Sequence, residues 1–345
     1  MLDQVRVRAL DESDRPAWDA FVREHPQGTF FHLSAWRTLI ADIWRHRTHY
    51  LLAERGGRIC GVLPLVEVKS RLFGHSLSSL PFAAYGGVVA TDPVARGALE
   101  AHAEEIGRTR GVSHLEYRNL HPVHAEWPMQ DLYVTFRKEL LADEEANMLA
   151  IPRKQRAMVR KGISNGLVAT LDPDATRFFG VYADNVRRHG TPAMSRRWFQ
   201  ALMDTFGDDC EVMTVATAQG APLTSVLSFY FRDEILPYYA GDMTAARDLA
   251  ANDFKYWQLM RRALERRCKV FDYGRSKVGT GPYHFKKNWG FVPAPLSYEY
   301  VLYTRPDIPQ NNPTNPKYRA FIALWKHLPL PVANTLGPHI VRNLG

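Results

Sequence analysis

The stretch Cys210–Phe231, "CEVMTVATAQGAPLTSVLSFYF", decides how this chain is read. It is a short apolar strand, a turn at Gln219-Gly220 and a longer apolar strand, the pattern of a β-hairpin. The same construction occurs once before, at Thr48–Val68, "THYLLAERGGRICGVLPLVEV", turning at Gly56-Gly57. Upstream of each hairpin a serine opens a Trp-bearing amphipathic stretch, "HLSAWRTLI" and "MSRRWFQALM", for which Ser34 and Ser195 are suitable N-caps. Downstream, "HLEYRN" (His114–Asn119) pairs with "VFDYGR" (Val270–Arg275), each carrying an acidic-Tyr dipeptide. Three matched elements in one order, offset by roughly 160 residues, predict a duplicated α/β unit.

The bulk numbers are compatible with two cores. The chain has 345 residues, 46% hydrophobic and 23% charged, which is an ordinary globular composition. A net charge of +8 favours an anionic partner. Cys60, Cys210 and Cys268 are scattered and odd in number, which points to a reducing cytoplasm rather than a disulfide framework. No leader-like apolar run or membrane-length segment occurs, so a cytoplasmic protein is expected. The thirteen histidines show no metal-ligand spacing with Cys or carboxylates, and no metal site is expected.

The predicted boundaries are residues 1–150, 151–304 and a linker and tail at 305–345. At the first boundary stands "IPRKQRAMVRKGISNGL", in which five of the nine residues from Arg153 to Lys161 are basic. Arg153, Arg156 and Arg160 share a face of a helix that Gly162 and Gly166 help to end. Lys154 and Lys161 complete a run with no internal acid, which favours an external anion over a self-compensated face. After Thr304, "RPDIPQNNPTNPK" predicts an irregular linker. The segment "YRAFIALWKHL" then predicts an amphipathic helix with Phe321, Leu324, Trp325 and Leu328 on one side. The proline-broken end is expected to be a strapped-on tail, or a shallow contact with an anionic membrane through Arg319, Trp325 and Lys326.

In the second half, "EILPYYAGDM" predicts a strand ending at Tyr238-Tyr239 and then Gly241-Asp242. The loop "TAARDLAAND" leads to the helix "FKYWQLMRRALERRC", with Phe254, Trp257, Met260, Leu264 and Cys268 on its packing face. The strand "KVFDYGRS" returns in parallel, making a βαβ unit whose functional edge is the carboxyl end of the strands. Asp242, Asp272, Tyr273 and Arg275 should gather there. Immediately after comes "GPYHFKKNWGF" (Gly281–Phe291), in which Lys286 and Lys287 sit among aromatics. An ammonium backed by Phe285 and Trp289 is partly desolvated and attracts an anion strongly; the alternative is that both lysines snorkel from a turn while the aromatics fill core. We expect Lys286 to point into a cleft and Lys287 to face solvent.

The order hairpin, Tyr-rich strand, loop-helix, "FDYG" strand and aromatic-rich loop resembles the GNAT acyltransferase fold. The segment "YHFKKNWGF" resembles the F-K-x-x-aromatic-G signature of the FemABX aminoacyltransferases, and the tandem GNAT-like domains of that family match the repeat. The likeness runs from Phe30-Phe31 and Trp36 through "YGGVV" (Tyr85–Val89) to the "FKKNWG" loop. "IPRKQRAMVRKG" and the tail look closest to the FemAB-like subgroup of exosortase/PEP-CTERM and exopolysaccharide gene clusters. One departure is the loop "RDLAAN" (Arg247–Asn252), where Ala250 replaces a glycine of the acetyl-CoA pattern and Asp248 adds negative charge.

The resemblance implies an α/β protein of two tandem GNAT-like domains with a C-terminal amphipathic tail. The second domain would carry N-acyl transfer and the first would help frame the acceptor. The donor would be aminoacyl-tRNA and the acceptor an amine of a cell-envelope or exopolysaccharide precursor. An acyl-CoA-dependent N-acyltransferase and a non-catalytic docking protein for an anionic glycan are the alternatives. Either donor is a co-substrate; no bound cofactor and no DNA partner are expected. The protein would work in the cytoplasm, with contact at the inner face of the plasma membrane. Lys286, with Phe285 beside it, would stabilise the oxyanion or meet the donor's phosphate. Asp242, Asp272 and His284 are candidate bases, although each has a plain structural use and an amine can lose its proton to water. Arg153, Lys154, Arg156, Arg160, Lys161, Arg247, Arg275, Tyr239, Tyr256 and Trp289 are the expected substrate- and phosphate-binding residues.

Overall fold

The computed structural model describes residues 4–70, 73–304, 306–309 and 319–344. Two compact units divide the chain: Met1–Leu132 with Pro295–Asn311 and Arg342–Gly345, and Tyr133–Ala294 with Asn312–Val341. Most of the expected linker lies outside the described residues.

The first unit contains strands β1 (Arg6–Ala9), β2 (Arg47–Arg55), β3 (Arg58–Ser70), β4 (Gly74–Ser78), β5 (Val89–Ala90), β6 (His114–Asn119) and β7 (Met129–Gln130). Its helices are α1 (Arg15–Glu24), α2 (Ala35–Leu39) and α3 (Pro93–Arg110). The sheet order is β1-β2-β3-β4-β6, then the late strand Ser297–Leu302, then β7, with β5 paired to β3. The predicted hairpin is β2–β3, closed where Arg55 faces Arg58. Gly56 and Gly57 both adopt positive φ, as a two-residue turn matched to the twist of the strands demands. Leu63, Leu65, Leu77 and Leu115 pack with Leu99 and Ala103 of α3 to form the core. Ser34 precedes α2, but its hydroxyl donates to Asp19 Oδ2 at 2.9 Å instead of capping.

The second unit contains β8 (Tyr133–Glu139), β9 (Val168–Asp172), β10 (Cys210–Ala216), β11 (Pro222–Phe231), β12 (Glu234–Asp242), β13 (Val270–Asp272) and β14 (Ser276–Lys277), in the order β14-β8-β13-β12-β11-β10-β9. Its helices are α4 (Glu144–Ala150), α5 (Arg153–Ser164), α6 (Thr176–Arg188), α7 (Arg196–Phe206), α8 (Ala251–Glu265), α9 (Gly281–Asn288), α10 (Arg319–Lys326) and α11 (Leu330–Val341). Here Ser195 does cap: its Oγ accepts from the Trp198 N–H at 3.1 Å. The βαβ unit is β12–α8–β13, with β12 and β13 parallel. Trp257, Met260 and Ala263 of α8 pack with Val226, Ile235 and Phe271 of the sheet and with Trp289.

Several expectations change. The predicted boundaries put Tyr133–Glu139 in the first half and Ser297–Leu302 in the second, yet each strand is hydrogen-bonded into the other half's sheet. Strand exchange of this kind leaves no trace in local periodicity. Gly162 does not end α5. It lies inside the helix at a close approach to α8, where a Cβ would fall 2.7 Å from the Phe254 Cβ. Strand β12 runs through Tyr238-Tyr239 to Asp242, absorbing an extra residue in a bulge opposite Leu227/Ser228. The "FKKNWG" segment is a helix, α9, rather than a loop. The tail is helical as well. Ile322 abuts Gly190, Arg187 donates to the Lys326 carbonyl at 3.0 Å, and Trp325 is buried, so its ring is not presented to a membrane surface as expected. Among the described residues no helix is long and apolar enough to cross a membrane, and no cluster of three metal-ligating side chains occurs.

Candidate active site

The site is built where two parallel strands part. Pairing of β12 with β13 covers only Glu234↔Val270 and Ile235↔Phe271; β12 then continues to Asp242 while β13 ends at Asp272. The carboxyl end of a parallel sheet, at such a break, is where α/β proteins place ligands. The α8 N-terminus, which follows β12, brings Asn252, Asp253 and Lys255 to this edge.

Lys286 does not project into open space. It is 8% exposed, and its Nζ donates to the carbonyls of Tyr273 at 2.6 Å, Gly274 at 3.1 Å and, more weakly, Arg275 at 3.5 Å. The ammonium also lies 5.6 Å from the ring centroids of Phe136 and Tyr273. Burial pulls its pKa down to about 8, against the favourable charge of Asp272. The expected cleft-facing cation is therefore a clamp on the Tyr273–Arg275 turn, with its protons committed to backbone oxygen. Lys287 is exposed, as expected.

Asp272 is fully buried and accepts from Thr135 Oγ1 (3.2 Å), Arg137 Nη1 (2.8 Å) and the Gly274 N–H (2.7 Å). It shapes the same turn from the other side. Asp242 accepts from Asn185 Nδ2 at 2.8 Å, Arg188 Nη2 at 3.2 Å and Asn252 Nδ2 at 3.1 Å. Phe285, Tyr256 and Trp289 do come together: Tyr256 lies 5.4 Å from Phe285 and 4.7 Å from Tyr273. His284 is exposed beside the ring of Tyr283. Tyr239 packs against Phe199 at 5.2 Å, as a core aromatic would. Arg247 is exposed, and Arg275 turns onto the ring of Tyr133 at 4.6 Å.

The sequence reading missed Lys255 and Asp253. Lys255 is 2% exposed; Nζ donates to Thr224 Oγ1 and Asn252 Oδ1, both at 3.0 Å, and lies 4.6 Å from the Tyr256 ring. Its pKa falls to about 8 through burial, with Asp242 and then Asp253 opposing. Asp253 accepts from the indole N–H of fully buried Trp289 at 3.0 Å, and burial raises its pKa while that bond lowers it. The signal was available, because a βαβ unit puts the first turn of its helix at the functional edge. The segment "AND" was instead assigned to the loop. Ala250, where the acetyl-CoA pattern has glycine, is in the left-handed conformation (φ 56°) that glycine enters freely.

Basic helix α5 lies against this edge. Gly162 meets Phe254 of α8, and Asn165 donates to the Leu249 carbonyl at 3.1 Å. Arg153, Lys154, Arg160 and Lys161 are exposed, and Arg156 spends one N–H on the Leu149 carbonyl. Among the described residues none of the five forms a salt bridge.

Residues 150–287 match the family model described as the acetyltransferase (GNAT) domain. Residues 150–287 are a GNAT domain. The whole chain is similar in fold to FemX, at 13% identity over 87% of this chain and 98% of that one, with a TM-score of 0.66. It is similar to a tandem GNAT protein from the clavulanic acid biosynthesis pathway (12% identity, 88% and 100% coverage, TM-score 0.57). A third similar structure is the C-terminal domain of a putative lysylphosphatidylglycerol synthetase from Agrobacterium fabrum (13%, 91% and 95%, TM-score 0.55). The two-unit fold is thus FemABX-like, two GNAT-like halves in one chain. No curated protein matches it in sequence. The GNAT domain accounts for the βαβ unit, and its chemistry is acyl transfer to a nucleophile.

Proposed function

We propose that the protein moves an aminoacyl group from aminoacyl-tRNA to an amine of a cell-envelope or exopolysaccharide precursor, near the inner face of the plasma membrane. The observation that carries this reading is the uncompensated basic helix α5 beside the α8 N-terminus. Its twelve residues span roughly 18 Å, a longer cationic strip than a pyrophosphate needs and one suited to a polynucleotide backbone. Likeness in fold to FemX and to a putative lysylphosphatidylglycerol synthetase supports aminoacyl transfer. A second reading, acyl-CoA as donor, is favoured by the acetyltransferase description of the domain and by the α8 N-terminus, whose first N–H groups have no intrahelical acceptor.

The test is mass spectrometry of acyl products after incubation with charged tRNA or acyl-CoA and candidate amines, together with tRNA binding as salt is varied. Charge reversal, Arg160→Glu with Lys161→Glu, should weaken tRNA binding about tenfold or more at moderate salt and flatten the salt dependence by about one to two ion equivalents. Transfer from acyl-CoA alone, with tRNA binding unchanged by the reversal, would overturn the tRNA reading in favour of the second.

A further inference from the structure

The acidic groups at the parting of β12 and β13 are not equivalent. Asp242 is held by Asn185, Arg188 and Asn252, and Asp272 by Thr135, Arg137 and the Gly274 amide. Asp248 stands exposed on the preceding loop. Asp253 differs from all three. It is half-buried in the first turn of α8, Trp289 Nε1 donates to its Oδ1 and its own backbone N–H favours the carboxylate, and among the described residues no other side chain donates to it. Its neighbours include Lys255, whose ammonium is engaged by Thr224 and Asn252, and Tyr273, whose buried hydroxyl has no partner among the described residues and whose pKa is raised by burial and then by Tyr256 and Asp253.

We propose that Asp253 is the base that takes the proton from the attacking amine, and that Trp289 is the positioning residue that fixes its carboxylate. This rests on the N-acyl-transfer reading above and names the group that reading lacks. The acceptor's ammonium gives one proton to the Asp253 carboxylate. The freed nitrogen forms the C–N bond to the acyl carbon as that carbon's bond to the donor oxygen or sulfur breaks. The second nitrogen-bound proton departs with the leaving oxygen or sulfur. Desolvation makes the carboxylate a better proton acceptor than an exposed one. The motif tryptophan thereby gains a purpose. Its ring fills core while its N–H aims the base.

Three variants test the assignment, each first checked for a native circular dichroism spectrum. Asp253→Asn keeps an acceptor for Trp289 but has no basic oxygen. It should lower kcat for amine transfer by 10²- to 10⁴-fold, while transfer to hydroxylamine, already neutral at pH 7, changes less than threefold. Trp289→Phe removes the bond that favours the carboxylate, so the acid limb of the kcat profile should move up by roughly one pH unit. Asp242→Asn should leave that limb in place. Carbon-13 NMR titration of aspartate-labelled wild type should show the Asp253 carboxyl above the ordinary range even if Asp253→Asn fails to fold. Equal loss with both acceptors, an unmoved acid limb in Trp289→Phe, or an ordinary titration overturns the base assignment. If the wild type acylates hydroxylamine but no amine, or nothing at all, the N-acyl-transfer reading falls and the base with it.

Discussion

Replacing Lys286 by methionine separates its ammonium from its stem. Methionine keeps the length and apolar body, so what is lost is the donation to the carbonyls of Tyr273 and Gly274 at 2.6 and 3.1 Å. Two hydrogen bonds from a charged donor are worth about 1.5–3 kcal/mol each. Against this, the variant no longer buries a charge; a pKa drawn from 10.5 to about 8 returns about 3 kcal/mol. The balance is a net loss of roughly 1–2 kcal/mol for Lys286→Met. Lys286→Ala deletes three further buried methylenes at about 0.8 kcal/mol each and should lose about 4 kcal/mol in all. Lys287→Met, at an exposed site, should stay within about 0.5 kcal/mol. Urea unfolding at pH 7, followed by tryptophan fluorescence, measures all three. The reasoning is refuted if Lys286→Met is as stable as the parent yet loses acyl transfer, because the ammonium would then be serving an anion rather than the turn.

Gly162→Ala places a methyl 2.7 Å from the Phe254 Cβ, which is too close to the backbone to swing away, so α5 and α8 must separate. A loss of about 1–2 kcal/mol is expected despite alanine's better helix propensity, read from the denaturation midpoint. In the first unit Glu67 accepts from His49, His75 and Arg110, and these bonds hold its carboxyl down at about 2 despite burial. A depressed carboxyl contributes stability that is complete above its unfolded value near 4.5 and is lost as pH falls toward 2. The parent should therefore weaken more steeply than Glu67→Gln between those pH values in acid-dependent thermal melts, and parallel curves would contradict the assignment.

The sequence alone determined the local elements and their repetition. Hairpins turning at Gly56-Gly57 and near Gly220, Ser195 as a cap and the apolar stripe on α8 are local signals, set by turn chemistry and by periods of two and 3.6 residues. Those signals act over a few residues, and they survived folding. What long-range contact alone decides was not legible. Strands Tyr133–Glu139 and Ser297–Leu302 exchange between sheets because pairing partners far apart in the chain carry no local mark. Lys286 looked like a cation for a ligand because its sequence neighbours are aromatic. Its real partners are carbonyls eleven to thirteen residues upstream, brought within reach only by the β13–α9 turn. Whether a charged side chain meets solvent, substrate or backbone oxygen depends on which atoms the tertiary fold puts within 3 Å of it, and that distance is written nowhere in the order of the residues.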